Sequence, residues 1–412
     1  MPHHPHHIKV DLRQVVYALS DALDLVGIDD VAHGKRVGIM AAACGRELGW
    51  KSAECGFMFD LGLLHDIGVS STNTHHHLVN EFDWLYSQTH CETGYRLLKD
   101  FQPLAAMAEP VHFHHTHWEQ LAGRPDVALE TKLRANLIYL VDRVDALTAP
   151  YYATNTMLLH GGEIRDKIRE ATPVYFSPEL TAAFLAVSEA EAFWLQLEPR
   201  GIQASLQDML TRGHPHEASL GEVRQLAEIF ARIVDAKSPF TAAHSLGVAR
   251  LAKHFAQAMG LGDVICEKLE IAGLLHDLGK LRIPDEVLDK PGKLDARERQ
   301  IINTHSFETY QILSRIQGFE EIARWASYHH EEPDGSGYPF HLKLAAMSLE
   351  ARILRVADIF QAMVQDRPYR QGLSAPEALD FLQALVAQGR VDGAVVAVAA
   401  RDLPGAMAAA LA

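Results

Sequence analysis

Leu274-Leu275-His276-Asp277-Leu278-Gly279-Lys280 closes an apolar helical run with an imidazole and a carboxylate side by side. Consecutive side chains on a helix diverge by about 100°, so this pair serves one point only if that point lies at the helix flank. Lys280, three positions after Asp277, falls on the carboxylate's side. A cation next to a metal-binding carboxylate suits an anionic substrate. Alone, a His-Asp dipeptide is more often a hydrogen-bonded core pair, and it is the rest of the chain that overturns that reading.

The chain carries the pattern twice. Leu63-Leu64-His65-Asp66-Ile67-Gly68 repeats the stretch, and His33 precedes His65 by the same 32 residues that separate His244 from His276. Downstream, Thr89-His90 matches Thr304-His305, and His114-His115 follows at the same 24-residue interval as His329-His330. Asp142, in LVDRVDAL, matches Asp358, in RVADIFQAM. Shared helical packing would preserve apolar residues and not histidines, so the register points to metal ligation. It predicts two sets of donors: His244, His276, Asp277, His305, His329, His330 and Asp358, and His33, His65, Asp66, His90, His114, His115 and Asp142.

At 412 residues with 48% hydrophobic composition, the chain has material for two to three packed cores. Strand-like alternation is scarce and Ala/Leu/Glu/Arg-rich segments dominate, which predicts an all-α protein of two tandem helical bundles. Residues 1–200 are expected to form the first bundle, 201–220 a linker marked by Arg212-Gly213-His214-Pro215-His216, and 221–412 the second. A fresh helix from about Gly221 carries Val223, Leu226, Ile229, Phe230, Ile233 and Val234 at core spacing, and the Ala-rich tail after Arg401 reads as a terminal helix or frayed end.

A net charge of −15 argues against a grip on long nucleic acid, which needs a clustered basic face. Cys44, Cys55, Cys91 and Cys266 form no CxxC pair and read as reduced thiols of a cytoplasmic protein. The sequence holds no apolar run of about 18 residues that would suggest a membrane span, and the His/Pro-rich first ten residues are set aside from site reasoning. A homodimer is the one protein partner the sequence leaves open.

Seven donors exceed what one four-coordinate zinc can use. Two ions of higher coordination number can use them, particularly with Asp277 as a bridge, and mixed N/O donors suit iron, manganese, cobalt, nickel or zinc rather than magnesium or calcium. Such a pair can supply a hydroxide nucleophile and clamp a phosphodiester. Lys290, Lys293, Arg367 and Arg370 offer cations for phosphates, and Asp334-Gly335-Ser336-Gly337 is a turn-rich run able to hold a loop over the metals.

Residues 222–400 resemble the HD-GYP family of bacterial cyclic-dinucleotide phosphodiesterases. The likeness rests on His276–Lys280, Ile283-Pro284, Lys290-Pro291-Gly292-Lys293-Leu294, HHEEPDGSGYP at 329–339, and Arg367-Pro368-Tyr369-Arg370. It implies that His244, His276, Asp277 and Asp358 hold one ion and His305, His329 and His330 the other, with Asp277 shared. It implies catalytic roles for Asp277 and Lys280, the latter steadying the attacked phosphate or the hydroxide. Substrate contacts would come from Lys290, Lys293, Gly337, Tyr338, Pro339, Arg367 and Arg370. Iron or manganese heads the metals so implied. Some members take a third metal through a glutamate four residues before the first histidine ligand; Phe240 stands there, favouring two ions.

The first half keeps its donors and has lost its phosphate-binding parts. Val69 replaces Lys280, no Gly-Tyr-Pro follows His115, and Ala149-Pro150-Tyr151-Tyr152 replaces the Arg-Pro-Tyr-Arg run. It is read as a degenerate HD domain, a regulator or sensor that binds a second metal pair. His75, His76, His77, His112 and His117 are read mainly as surface or hydrogen-bonded histidines. The expected activity is hydrolysis of cyclic di-GMP to pGpG and onward to GMP, with 3'3'-cyclic GMP-AMP as the alternative substrate. A di-iron oxygen or redox sensor is the competing class, disfavoured by Lys280, Arg367 and Arg370.

Overall fold

The computed structural model describes residues 7–27, 32–212, 216–238, 244–366 and 371–412. Helices account for nearly all of its regular structure, as the composition predicts; the one described sheet is a two-stranded antiparallel pair of His7–Asp11 with Glu217–Ser219. No single helix among the described residues is long and apolar enough to cross a membrane. All four cysteines are buried and free.

Two compact units divide the chain, one of residues 23–214 and the other of residues 1–22 with 215–412. This differs from the expected 1–200, 201–220 and 221–412. The leading strand needs partners for its backbone groups and finds them on residues that follow the first unit, with Leu12 N–H donating to His216 O at 2.9 Å. The break between the units, at 214/215, falls inside the expected 201–220 linker, whose first part belongs to the helix Pro199–Arg212 and buries Ile202.

Within each unit the duplication is structural. Helices His33–Glu47 and Ser52–Leu64 recur as His244–Ala258 and Asp263–Leu275, with the same lengths and the same separation. Close crossing brings the start of one helix to the end of its partner. A Cβ on Gly62 would collide with the backbone of Gly38, and one on Gly273 would stand 2.7 Å from Ala249 Cα. Glycine at the crossing therefore sets His33 beside His65, and His244 beside His276.

Ahead of the second pair, helix Leu220–Ala236 starts in a capping box. Ser219 Oγ accepts from Glu222 N–H at 3.2 Å and the Glu222 carboxylate accepts from Ser219 N–H at 2.8 Å, a motif worth about 1 kcal/mol. Its face of Val223, Leu226, Ile229, Phe230, Ile233 and Val234 is buried as the spacing predicts. The Ala-rich tail is the helix Leu403–Leu411.

Candidate metal centres

The donors of the second half come from five helices and the turns that follow two of them, and they converge on a common interior point. His244 opens its helix, His276 and Asp277 follow the end of Asp263–Leu275, and His305 lies within Ala296–Leu313. His329 and His330 come just after Glu320–Ser327, and Asp358 lies on Leu349–Val364. Thr309 ties the His-Asp turn to its neighbour: its Oγ1 donates to His276 O at 3.1 Å and accepts from Gly279 N–H at 3.0 Å. Gly279 is a packing requirement, because a Cβ there would strike His305 O.

The geometry separates two groups of donors around one carboxylate. Asp277 Oδ2 lies 3.2 Å from His276 Nε2 and 3.7 Å from His244 Nε2, while Oδ1 lies 3.5 Å from His305 Nε2 and 3.8 Å from His329 Nε2. Asp358 Oδ1 joins the first group, 3.3 Å from His244 Nε2 and 3.9 Å from His276 Nε2. His330 joins the second, its donor atom within 4.8 Å of those of His305 and His329.

Whether these residues fit metal ions is answered by their hydrogen bonds. His276, His305 and His329 each donate Nδ1–H to the carbonyl three residues earlier, at 2.7, 2.6 and 2.6 Å. That fixes the tautomer and turns the Nε2 lone pair inward, as metal-binding imidazoles require. His276 Nε2 and Asp277 Oδ1 are buried with no hydrogen-bond partner; the 3.2 Å approach of His276 Nε2 to Asp277 Oδ2 lacks hydrogen-bond alignment. Unpartnered buried donors facing one another are costly unless a cation satisfies them. Burial, reinforced by neighbouring imidazoles, holds His329 and His330 neutral, well below the usual histidine range, and burial brings His305 to about 4. For Asp277, burial works upward, but His276 and Lys280 outweigh it and keep the carboxyl well below its usual range.

The first half repeats this arrangement. Asp66 Oδ2 lies 3.6 Å from His65 Nε2 and 3.8 Å from His33 Nε2, and Oδ1 lies 3.2 Å from His90 Nε2 and 3.7 Å from His114 Nε2. Asp142 Oδ1 stands 3.3 Å from His33 Nε2, and Asp142 Oδ2 stands 3.7 Å from His115 Nε2. Nδ1 of His65 and of His114 donates to Gly62 O and Val111 O at 2.8 and 2.6 Å. Asp66 Oδ1 and His90 Nδ1 are buried without hydrogen-bond partners. All fourteen donors named from the sequence thus converge in two clusters of seven.

An HD-domain family model matches residues 228–395. Along 95% of this chain and 92% of its own length, the 3'3'-cGAMP-specific phosphodiesterase 1 of Vibrio cholerae serotype O1 is 36% identical. The chain belongs to the HD-GYP family of cyclic-dinucleotide phosphodiesterases. A crystal structure of a cyclic GMP-AMP-specific phosphodiesterase of V. cholerae superposes with a TM-score of 0.65 at 25% identity, covering 96% of this chain and 98% of that one. A cyclic di-GMP phosphodiesterase response regulator of Xanthomonas campestris is 39% identical over 40% of this chain and 46% of its own.

In this HD-GYP chain the signature loop is built onto the second donor group. Tyr338 N–H donates to His330 O at 3.1 Å, and the Tyr338 ring stacks on His330 with centroids 4.8 Å apart and planes at 28°. Gly337 is packed so tightly that a Cβ would stand 2.5 Å from His330 O. Glu331 holds the far side, accepting from Phe340 N–H at 2.6 Å and Leu342 N–H at 2.7 Å. Arg355 joins His329 O (3.1 Å) to Glu332 (2.7 Å), and Arg390 forks onto Glu332 at 2.6 and 2.8 Å. The tyrosine and the loop turn were legible in the sequence; Glu331, Glu332, Arg355 and Arg390 were missed, because side chains that only brace a loop follow no spacing rule.

The expected phosphate contacts are less gathered. Lys280 Nζ sits 2.5 Å from Asp277 Oδ2 and keeps some exposure. Lys290 is engaged by Glu298 at 2.6 Å, and Lys293 is exposed on its loop. Arg367, Arg370 and Phe240 lie outside the described residues.

Around the first cluster the surroundings differ. Arg143, missed in the sequence, is buried, donating to Asp142 Oδ2 at 2.8 and 3.1 Å and to Leu78 O and Glu81 O at 2.8 and 2.7 Å. Cys91 Sγ lies 3.8 Å from His90 Nε2, where the second half has Ser306 Oγ 3.2 Å from His305 Nε2. Of the additional histidines, His75 comes nearest, its ring centroid 6.4 Å from that of His33. His77 pairs with Glu81 at 2.7 Å and His117 with Asp83 at 3.2 Å, His112 packs against Tyr95, and His76 lies beside His77. Beside His33, His65, Asp66, Val69 and His75, a cavity gives the centre of a water-sized sphere about 20 Å³. That is room for a water or two, against the several hundred Å³ of small-ligand pockets.

Proposed function

We propose that the C-terminal half hydrolyses a phosphodiester bond of 3'3'-cyclic GMP-AMP to a linear dinucleotide, and that the N-terminal half binds metal without hydrolysing nucleotides. The extent of the match carries the substrate reading: the Vibrio relative aligned along both halves is named for cyclic GMP-AMP. This reverses the substrate order expected from the sequence. Cyclic di-GMP stays as the second reading, because the Xanthomonas relative named for it matches a single-domain length at 39% identity.

In this reading His244, His276 and Asp358 hold one ion and His305, His329 and His330 the other, with one Asp277 oxygen turned to each group. Two divalent ions bound there, iron or manganese first, supply a water nucleophile at neutral pH and charge to balance the reacting phosphate. The backbone-anchored imidazoles keep their lone pairs aimed without reorganisation, and Lys280 is the cation at hand for the phosphate's developing charge. Tyr338 covers His330 and offers an aromatic edge beside the cluster. The first half keeps the donors but offers Val69 where the lysine stands.

The test uses the full chain purified without oxygen and loaded with manganese(II). Given 3'3'-cyclic GMP-AMP and cyclic di-GMP separately, it is expected to release linear dinucleotide faster from the former, read by chromatography. Faster cleavage of cyclic di-GMP would overturn the substrate order, and cleavage of neither would overturn the activity.

A further inference from the structure

The first histidine of each cluster passes its outer ring nitrogen to a different kind of partner. His33 Nδ1 donates to Asp145 Oδ2 at 2.8 Å, whereas His244 Nδ1 donates to Gln361 Oε1 at 2.5 Å. The two acceptors hold equivalent positions, each three residues beyond the aspartate that shares its cluster, Asp142 or Asp358. One half thus backs its histidine with a carboxylate and the other with a neutral amide.

The exchange is coupled to a second one. Arg36 grips Asp145 with a fork, Nε to Oδ1 at 2.7 Å and Nη2 to Oδ2 at 3.0 Å, and Tyr152 Oη donates to Oδ1 at 2.6 Å. The place equivalent to Arg36 is Gly247, where a Cβ would stand 2.9 Å from Gln361 Cγ and 2.5 Å from Ala410 O. Gly247 is what lets the amide reach His244. Arg36 is what compensates a carboxylate that is buried beside His33.

Taking as its basis the reading that both halves bind metal, we propose that Asp145 and Gln361 make the two centres unequal: the N-terminal one binds divalent metal more tightly, and the C-terminal one holds a more electron-poor, more exchangeable ion. A carboxylate accepting from the outer N–H raises the basicity of the inner nitrogen, and such partners change metal affinity by about 10- to 100-fold. Arg36 takes part of that pull, but a full negative charge still exceeds the dipole of an amide. An electron-poor ion suits polarisation of a phosphate. Asp145 and Gln361 are positioning residues, acting through His33 and His244.

The test is manganese(II) titration of the full metal-stripped chain in two backgrounds. H276A/D277A leaves the N-terminal cluster to be read, and H65A/D66A leaves the C-terminal one. The N-terminal cluster is expected to bind manganese at least about 10-fold more tightly. Asp145→Asn should weaken it by about 10- to 100-fold, and Gln361→Glu should tighten the C-terminal cluster by about 10-fold. The gain in Gln361→Glu is a readout that a merely structural role would not produce, and it holds if Asp145→Asn fails to fold. Equal affinities in the two backgrounds, or no gain from Gln361→Glu, would overturn the inference and leave the metal reading standing. No manganese bound in the H276A/D277A background would overturn both.

Discussion

The two halves hold nearly superimposable donor sets inside different surroundings. Asp66 and Asp277 each give one oxygen to each of two histidine groups, at separations that agree within about half an ångström from half to half. The side chains packed around those donors differ. The second half adds Lys280, a tyrosine stacked on His330 and a loop held by Glu331 and Glu332. The first half adds Arg143 against Asp142 and Arg36 against Asp145. The halves therefore share their donor set and differ in the side chains built around it.

The sharpest way to break that comparison is to remove the shared carboxylate from each half in turn. Asp277→Ala is expected to abolish hydrolysis by three or more orders of magnitude, because both donor groups lose their common oxygen ligand, a change of about 4 kcal/mol or more in the barrier. Asp66→Ala should leave turnover within about threefold. Rates of linear-dinucleotide formation, with metal counts on each variant, decide it. A large loss in Asp66→Ala with the C-terminal ions still bound would mean that the first half takes part in catalysis.

Next in size is the buried cation unique to the first half. Ile359 stands at the position equivalent to Arg143, so an aliphatic side chain suits that place in the fold. Arg143→Leu strips Asp142 of its guanidinium and leaves the Leu78 and Glu81 carbonyls without that donor. Breaking one side of a buried pair costs about 3–5 kcal/mol. Thermal unfolding should show the first unit melting earlier, while the C-terminal cluster keeps its metal and its rate. If the first unit melts unchanged, Arg143 contributes little net stabilisation there.

How much of this was legible follows from what kind of force each feature reflects. The convergence of the fourteen side chains was readable because the repeat displayed their intervals twice. Asp145 and Gln361 were not readable: a second-layer acceptor has only to reach one N–H, so aspartate and glutamine both serve and no motif marks them. The helical part of the expected linker was not readable for a similar reason. The Gly213-His214-Pro215 stretch reads as a break, while the helix Pro199–Arg212 ahead of it buries Ile202. The pairing of His7–Asp11 with Glu217–Ser219 joins segments some two hundred residues apart, and nothing local encodes it. No residue announces the substrate, and the proposed preference comes from the length of chain a relative matches.

Lys280 separates the halves by a single charge. Lys280→Ala is expected to slow turnover by about 100-fold, equivalent to about 2.7 kcal/mol, with both C-terminal ions retained. Val69→Ala, the counterpart, should leave the rate unchanged. Loss of metal from Lys280→Ala would instead assign the lysine to holding Asp277 in place, consistent with its 2.5 Å contact to Oδ2.

The smallest effect concerns the stacked ring of the second half; His115, the counterpart of His330, meets Tyr139 edge-on instead, with centroids 5.1 Å apart and planes at 68°. Tyr338 stacks on His330 and its ring centroid lies 6.4 Å from that of His305, so its face is turned to the second donor group. Removing an aromatic contact of this kind costs about 0.5–1.5 kcal/mol, which corresponds to a factor of roughly 2 to 13. If the ring serves the bound dinucleotide, Tyr338→Ala should raise KM by that factor and leave kcat and metal content near the parent values, because binding lost equally from ground and transition states changes KM alone. If the ring serves His330, metal affinity and kcat should fall together. Tyr338→Phe separates the two further, since it keeps the stacked face and deletes only the hydroxyl: parent-like kinetics in this variant would place the contribution in the ring, and a loss equal to that of Tyr338→Ala would place it in the Oη atom.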